Sequence, residues 1–196
     1  AMGGLERDPE TIPGHRMPGA SDIDLLQNSV SLTAEAGFED GDLVVSVEIV
    51  NDRTGHHVPT DSPLRHLILL VGAAGPNGAL ALVDGPVLPE WVGVGDPGQG
   101  RYAGLPGTAY AKVLEELWTE VYPTGAYWNQ TRIRSDNRIP ALGSDATEYR
   151  FDDPGGPVRV EVTLIYRRAF IELAEQKGWD VEDIVMERTV VDLGGE

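Results

Sequence analysis

The sequence predicts an all-β, immunoglobulin-like β-sandwich of about seven strands, with a long aromatic-rich insertion and a short C-terminal helix. Three observations predict it. Alternating or β-branched runs recur, as in Leu43-Val44-Val45-Ser46-Val47-Glu48-Ile49-Val50 and again from Val158 to Tyr166. Tight-turn chemistry separates them, as in Glu39-Asp40-Gly41-Asp42 and Asp152-Asp153-Pro154-Gly155-Gly156-Pro157. Glycine (24) and proline (14) are too frequent in 196 residues for a helical chain.

Residues 1–29 read as an extended lead-in, because Gly4 to Gly19 is broken by Gly and Pro and has no hydrophobic period. Ala1-Met2-Gly3 carries no charged n-region followed by an apolar stretch, so the expectation is a trimmed chain or one without a leader. The sandwich is expected over 30–196. Val30, Leu32 and Ala34 alternate into the acidic turn, and the run to Val50 answers them as a hairpin. Leu64 to Val71 is almost continuously apolar, the pattern of a strand buried on both faces. Gly75-Pro76-Asn77-Gly78 turns it into Ala79–Val83. Residues 84–139 form the insertion, rich in loop chemistry, with one short helix expected over Ala109–Leu117 behind Thr108 as N-cap. Strands return at Ala146–Phe151 and Val158–Tyr166, a helix is expected over Arg167–Lys177 up to Gly178, and Ile184–Leu193 closes the chain.

Charge excludes several classes of function. Lys and Arg number 15 against 32 Asp and Glu, a net of −17. Such a surface repels phosphate, which argues against nucleic acid and anionic membranes as partners. No window reaches the ~18 consecutive apolar residues of a membrane helix, so no membrane insertion is expected. Cysteine is absent. That removes disulfides, zinc–thiolate sites, thiol catalysis and haem attachment through Cys-x-x-Cys-His. No Gly-x-Ser-x-Gly, Ser-x-x-Lys, His-Glu-x-x-His or phosphate-loop pattern occurs, and nothing nominates a nucleophile.

The densest chemistry lies in Asn51-Asp52-Arg53-Thr54-Gly55-His56-His57-Val58-Pro59-Thr60-Asp61-Ser62-Pro63-Leu64-Arg65. It resembles a block near the C-terminus of multihaem cytochromes c of the cytochrome c554-like type, where a strand ending in Asn precedes Gly-His-x-x-Pro-Thr-Gly, then Arg and a buried strand. Gly14-His15-Arg16-Met17-Pro18-Gly19-Ala20, Arg138-Ile139-Pro140 with Tyr149-Arg150-Phe151, and Leu164 to Phe170 fit the same pattern. This chain departs from it in two ways: it has no haem motif, and Asp61 replaces the Gly after Pro-Thr. The resemblance implies a C-terminal sandwich cut from a haem-bearing parent, or a stand-alone relative. It implies a non-catalytic structural or docking module in the periplasm or outside the cell, with a multihaem cytochrome domain or redox partner beside it. Haem c would belong to that parent, where His15 is placed to serve as an axial ligand.

Read as chemistry, His56, His57 and Asp61 offer imidazole and carboxylate to a divalent metal such as Zn, Cu, Ni or Fe, with His66 one residue past Arg65. The structural alternative has His56 bonding the loop backbone and His57 solvated. Asn51, Gly55, Pro59 and Arg65 are read as structural: Gly55 turns the chain, Pro59 and Pro63 stiffen it, and Arg65 opens the buried strand with a carboxylate or carbonyls around its guanidinium. Loop carboxylates such as Asp22, Asp84 and Asp96 suit calcium by ligand type, but equally suit turns. Trp91, Tyr102, Tyr110, Trp118, Tyr122, Tyr127 and Trp128 either form a small core under the insertion or a sugar-stacking platform. Asn129-Gln130-Thr131 matches the glycosylation sequon. A metal- or carbohydrate-binding module is thus the alternative to the docking module.

Overall fold

A computed structural model describes residues 8, 19–60, 62–152, 154–180 and 182–194. The fold is an all-β sandwich. Its first sheet runs β1 (Ser31–Glu39), β2 (Asp42–Val50), β9 (Ser144–Phe151), β5 (Leu82–Asp84). Its second runs β11 (Ile184–Leu193), β10 (Val158–Arg167), β3 (His66–Gly75), β4 (Gly78–Ala79), with β6 (Gly107–Tyr110) also on β3. Every pairing is antiparallel. The remaining pair, β7 (Lys112–Glu116) and β8 (Thr131–Asp136), forms a separate two-stranded arm.

Alternation sets the core. Leu43, Val45, Val47 and Ile49 of β2 face Leu67, Leu69 and Val71 of β3, and Val158, Val160, Val162, Leu164 and Tyr166 of β10 join them in one buried cluster. The opposite face of β3 and β10 is covered too. Ile68 and Ile165 pack there with Leu88, Val92 and Ala109 of the insertion, flanked by Trp91, Tyr102 and Leu105. That second layer is why the β3 sequence reads as apolar on both faces.

Three elements differ from expectation. Ala109–Leu117 is not a helix: its residues lie in β6 and β7, and β6 registers Tyr110 on Leu67 and Gly107 on Leu70. Good helix formers are overridden by strand pairing, of Ala109 and Tyr110 with β3 and of Lys112–Glu116 with β8. A Cβ at Gly107 would strike the Leu69 carbonyl, so only glycine lets these backbones meet. The helix α2 spans only Ile171–Lys177, because Arg167 still pairs with His66; Gly178 ends it in the left-handed conformation. The lead-in is not wholly extended, since α1 (Ile23–Gln27) is a short helix capped by Asp22.

Candidate functional site

The loop from Asn51 to Arg65 is built around one side chain. Asn51 is fully buried at the end of β2. Its Nδ2 donates to the carbonyls of His56 (2.8 Å), Pro140 (2.9 Å) and Ile139 (3.1 Å), and its Oδ1 accepts from Thr54 Oγ1. Its backbone pairs with Gly143 and Leu142, and Val58 and Ile139 exchange both their hydrogen bonds at 2.9 Å. Asn51 therefore ties the loop to the segment before β9. Val58 and Pro59 are buried, and the bond between them is cis.

The histidines of this block do different things. His56 and His57 are exposed; His56 turns its Nδ1 to the His57 carbonyl at 3.0 Å. No group of three metal-ligand residues occurs among the described residues. Asp61 and His15 lie outside the described residues. Gly55 has open space where a Cβ would stand, and its φ is outside the left-handed region. Arg65 precedes β3 half-buried, lining a cavity of about 220 Å³ with His56, Arg53 and Tyr166.

Among the described residues the most deeply buried guanidinium is that of Arg167, only 3% exposed. Its Nε and Nη2 each donate to Asp183 at 2.7 Å, Nη1 donates to the Val92 carbonyl at 2.8 Å, and Nη2 also donates to Gly100 O at 2.7 Å. One cation thus clamps the insertion and the segment after α2 onto the end of β10. Beside it His66 is fully buried, stacked on Phe170 at 5.1 Å and edge-on to Trp91 at 5.3 Å. Its Nδ1 meets the Leu64 carbonyl at 3.1 Å, while Nε2 finds no partner among the described residues. Burial, with the Arg167 charge adding to it, pulls this imidazole down to about 3, so it is neutral.

The arm gathers exposed aromatic side chains. Glu115, buried at its base, accepts from Arg132 (2.6 Å) and Arg134 (2.7 Å), and the Arg132 bond first of all holds its carboxyl below the usual range. Glu116 takes Thr119 Oγ1 at 2.7 Å and Thr124 Oγ1 at 3.1 Å. Asn137 bonds both Ala109 O and Ala111 N, fixing the arm to β6. Arg134 lies over the Tyr122 ring at 3.5 Å. On this ordered frame Trp118, Tyr127 and Trp128 stand 83%, 92% and 70% exposed. Of the insertion's aromatics Tyr110 is fully core, its hydroxyl donating to Asp145 at 2.8 Å, and Trp91 and Tyr102 pack half-buried against the second core. Between the arm and α2 lies an open cleft of about 1380 Å³, lined by Trp91, Tyr122, Tyr127, Trp128, Phe170 and Trp179.

The carboxylates singled out in the sequence serve turns: Asp84 and Asp96 bond the backbone N–H of Gly85 and Gly98, and Asp22 caps α1. Two residues were hidden from sequence reasoning. Arg167 stood only at the start of the expected helix, and Trp179 lies past the insertion altogether.

No family model and no curated protein matches the sequence. Among solved structures, the fold is similar to a penta-heme cytochrome c552 from Thermochromatium tepidum, with a TM-score of 0.67 at 18% identity. The match covers 91% of this chain and 43% of that chain, so this chain spans less than half of its neighbour's length. The likeness is one of fold. The described residues do not fit covalent haem: there is no cysteine, His56 and His57 stand on an exposed loop, and His66 is enclosed by aromatic rings. No helix among the described residues is long and apolar enough to cross a membrane.

Proposed function

We propose that this chain is a non-catalytic structural or docking module of an extracytoplasmic multihaem electron-transfer system. The observation that carries the reading is the likeness over 91% of the chain to a protein named as a penta-heme cytochrome, in a chain with no cysteine to hold haem of its own. The module supplies a rigid sandwich and a face; the haem belongs to its partner or parent. The test is capture on immobilised full chain of proteins from the periplasmic fraction of its native cells, at physiological ionic strength. Captured polypeptides are separated under denaturing conditions and stained for covalent haem. A haem-staining band supports the reading. Its absence overturns it.

A second reading is favoured by one observation, the exposed rings along the cleft: a carbohydrate-binding module that stacks sugars on Trp128 and Tyr127. The metal reading of His56, His57 and Asp61 rests on their residue types alone. Metal analysis of the purified chain tests it.

A further inference from the structure

We infer that the cleft between the arm and α2 is the face on which a haem-bearing domain packs, through a protein surface with an apolar centre and a basic rim; this rests on the docking reading above. Four observations converge on it. Three of the chain's four tryptophans, Trp91, Trp128 and Trp179, line this one cleft, and the fourth, Trp118, stands on the turn of the arm that borders it. Tryptophan and tyrosine concentrate at the energetic centres of protein interfaces. Their exposure is not the looseness of a long loop, because the arm carrying Trp118 and Trp128 is braced by Glu115, Glu116 and Asn137.

The cleft also lies near the start of the described fold. Ser62 and Leu64 line it, while Thr60 and Arg65 line the smaller cavity with Gly19 and Ala20. A single loop thus separates the cleft from the point where the continuous described chain enters the fold. In the similar cytochrome the shared fold is 43% of the chain, so the sandwich there shares its polypeptide with a larger remainder.

Composition and charge select the occupant. Aliphatic Val94, Val121 and Leu173 sit among the rings, as in the apolar centre of a protein interface, with Ser62, Thr124 and Gln176 also on the lining. Glu90 and Glu172 line the cleft beside Lys177, and Arg101 pairs with Glu172 at 3.4 Å, so the attraction for a basic partner comes from the net charge of −17 over the whole chain. A second copy of this chain would bring the same charge against itself.

The experiment repeats the haem-stain capture with full-length Trp118→Ser/Trp128→Ser beside wild type, with Arg159→Ala at the far end of β10 as control. Circular dichroism and melting confirm that each variant is folded. The expected result is a loss of at least about tenfold in captured haem for the arm variant, none for the control, and weaker wild-type capture as salt rises. Haem captured equally by the arm variant overturns the cleft as docking face and leaves the docking reading standing. No haem captured even by wild type overturns the docking reading itself. Retention on a polysaccharide gel (xylan or hydroxyethylcellulose) that the arm variant loses, or a wild-type dimer by light scattering that it loses, assigns the cleft to sugar or to a second copy and overturns the inference.

Discussion

The Asn51 loop and the β7–β8 arm obey opposite rules. Around Asn51, polar groups are inside and satisfied: three carbonyls and a hydroxyl converge on one buried amide. In the arm, polar groups brace the base while apolar rings face solvent. A buried polar group must be paired or it costs stability, so a satisfied knot explains itself as structure. Exposed tryptophan on an ordered frame gains nothing for the isolated chain. The first region is about folding; the second points outward.

Substitutions that break this contrast divide accordingly. Arg167→Ala strands Asp183 and two carbonyls and is expected to destabilise by about 3–5 kcal/mol, read from urea unfolding. A loss under 1 kcal/mol would place the clamp on the outward side of the comparison. Acid comes next. His66 ionises near 6.5 when unfolded and at about 3 when folded, so its neutral burial contributes stability that is complete above 6.5 and drains away as pH falls toward 3. At about 1.36 kcal/mol per unit, this loss amounts to roughly 5 kcal/mol. His66→Phe should flatten the stability profile over that window. An unchanged slope would show that another group carries it.

Asn51→Ala removes the knot and should cost about 2–3 kcal/mol, the penalty of carbonyls left dry. His56→Ala is smaller still. It removes an exposed ring whose backbone, not its imidazole, serves Asn51, so melting should stay within about 0.5 kcal/mol of wild type and metal content should not change. Loss of bound metal at unchanged melting would revive a histidine metal site.

The sequence made the sandwich legible where burial follows period two. The alternation from Val158 to Tyr166 reappears as the inner face of β10, and Ile184–Leu193 is β11 to the residue. Segments whose fate depends on distant partners were not legible. Ala109–Leu117 carries helix formers, yet Ala109 and Tyr110 pair with β3 and Lys112–Glu116 with β8, and pairing outweighs propensity. Arg167 is the most deeply buried cation among the described residues, and its carbonyl partners lie 67 and 75 residues away, where no local pattern shows them. The aromatics of the insertion were visible as a set, but no pattern distinguishes a ring that fills a core from one that faces water when the residues between them are irregular.

The central claim is that the arm's rings serve a partner and not the fold. The most direct measurement is the melting temperature of Trp118→Ser/Trp128→Ser, taken with its haem-stain capture. The account predicts melting within about 2 °C of wild type, as for exposed sites, and capture reduced at least about tenfold. Melting lowered by ten degrees or so with capture retained would contradict it, making the rings a small core beneath the arm.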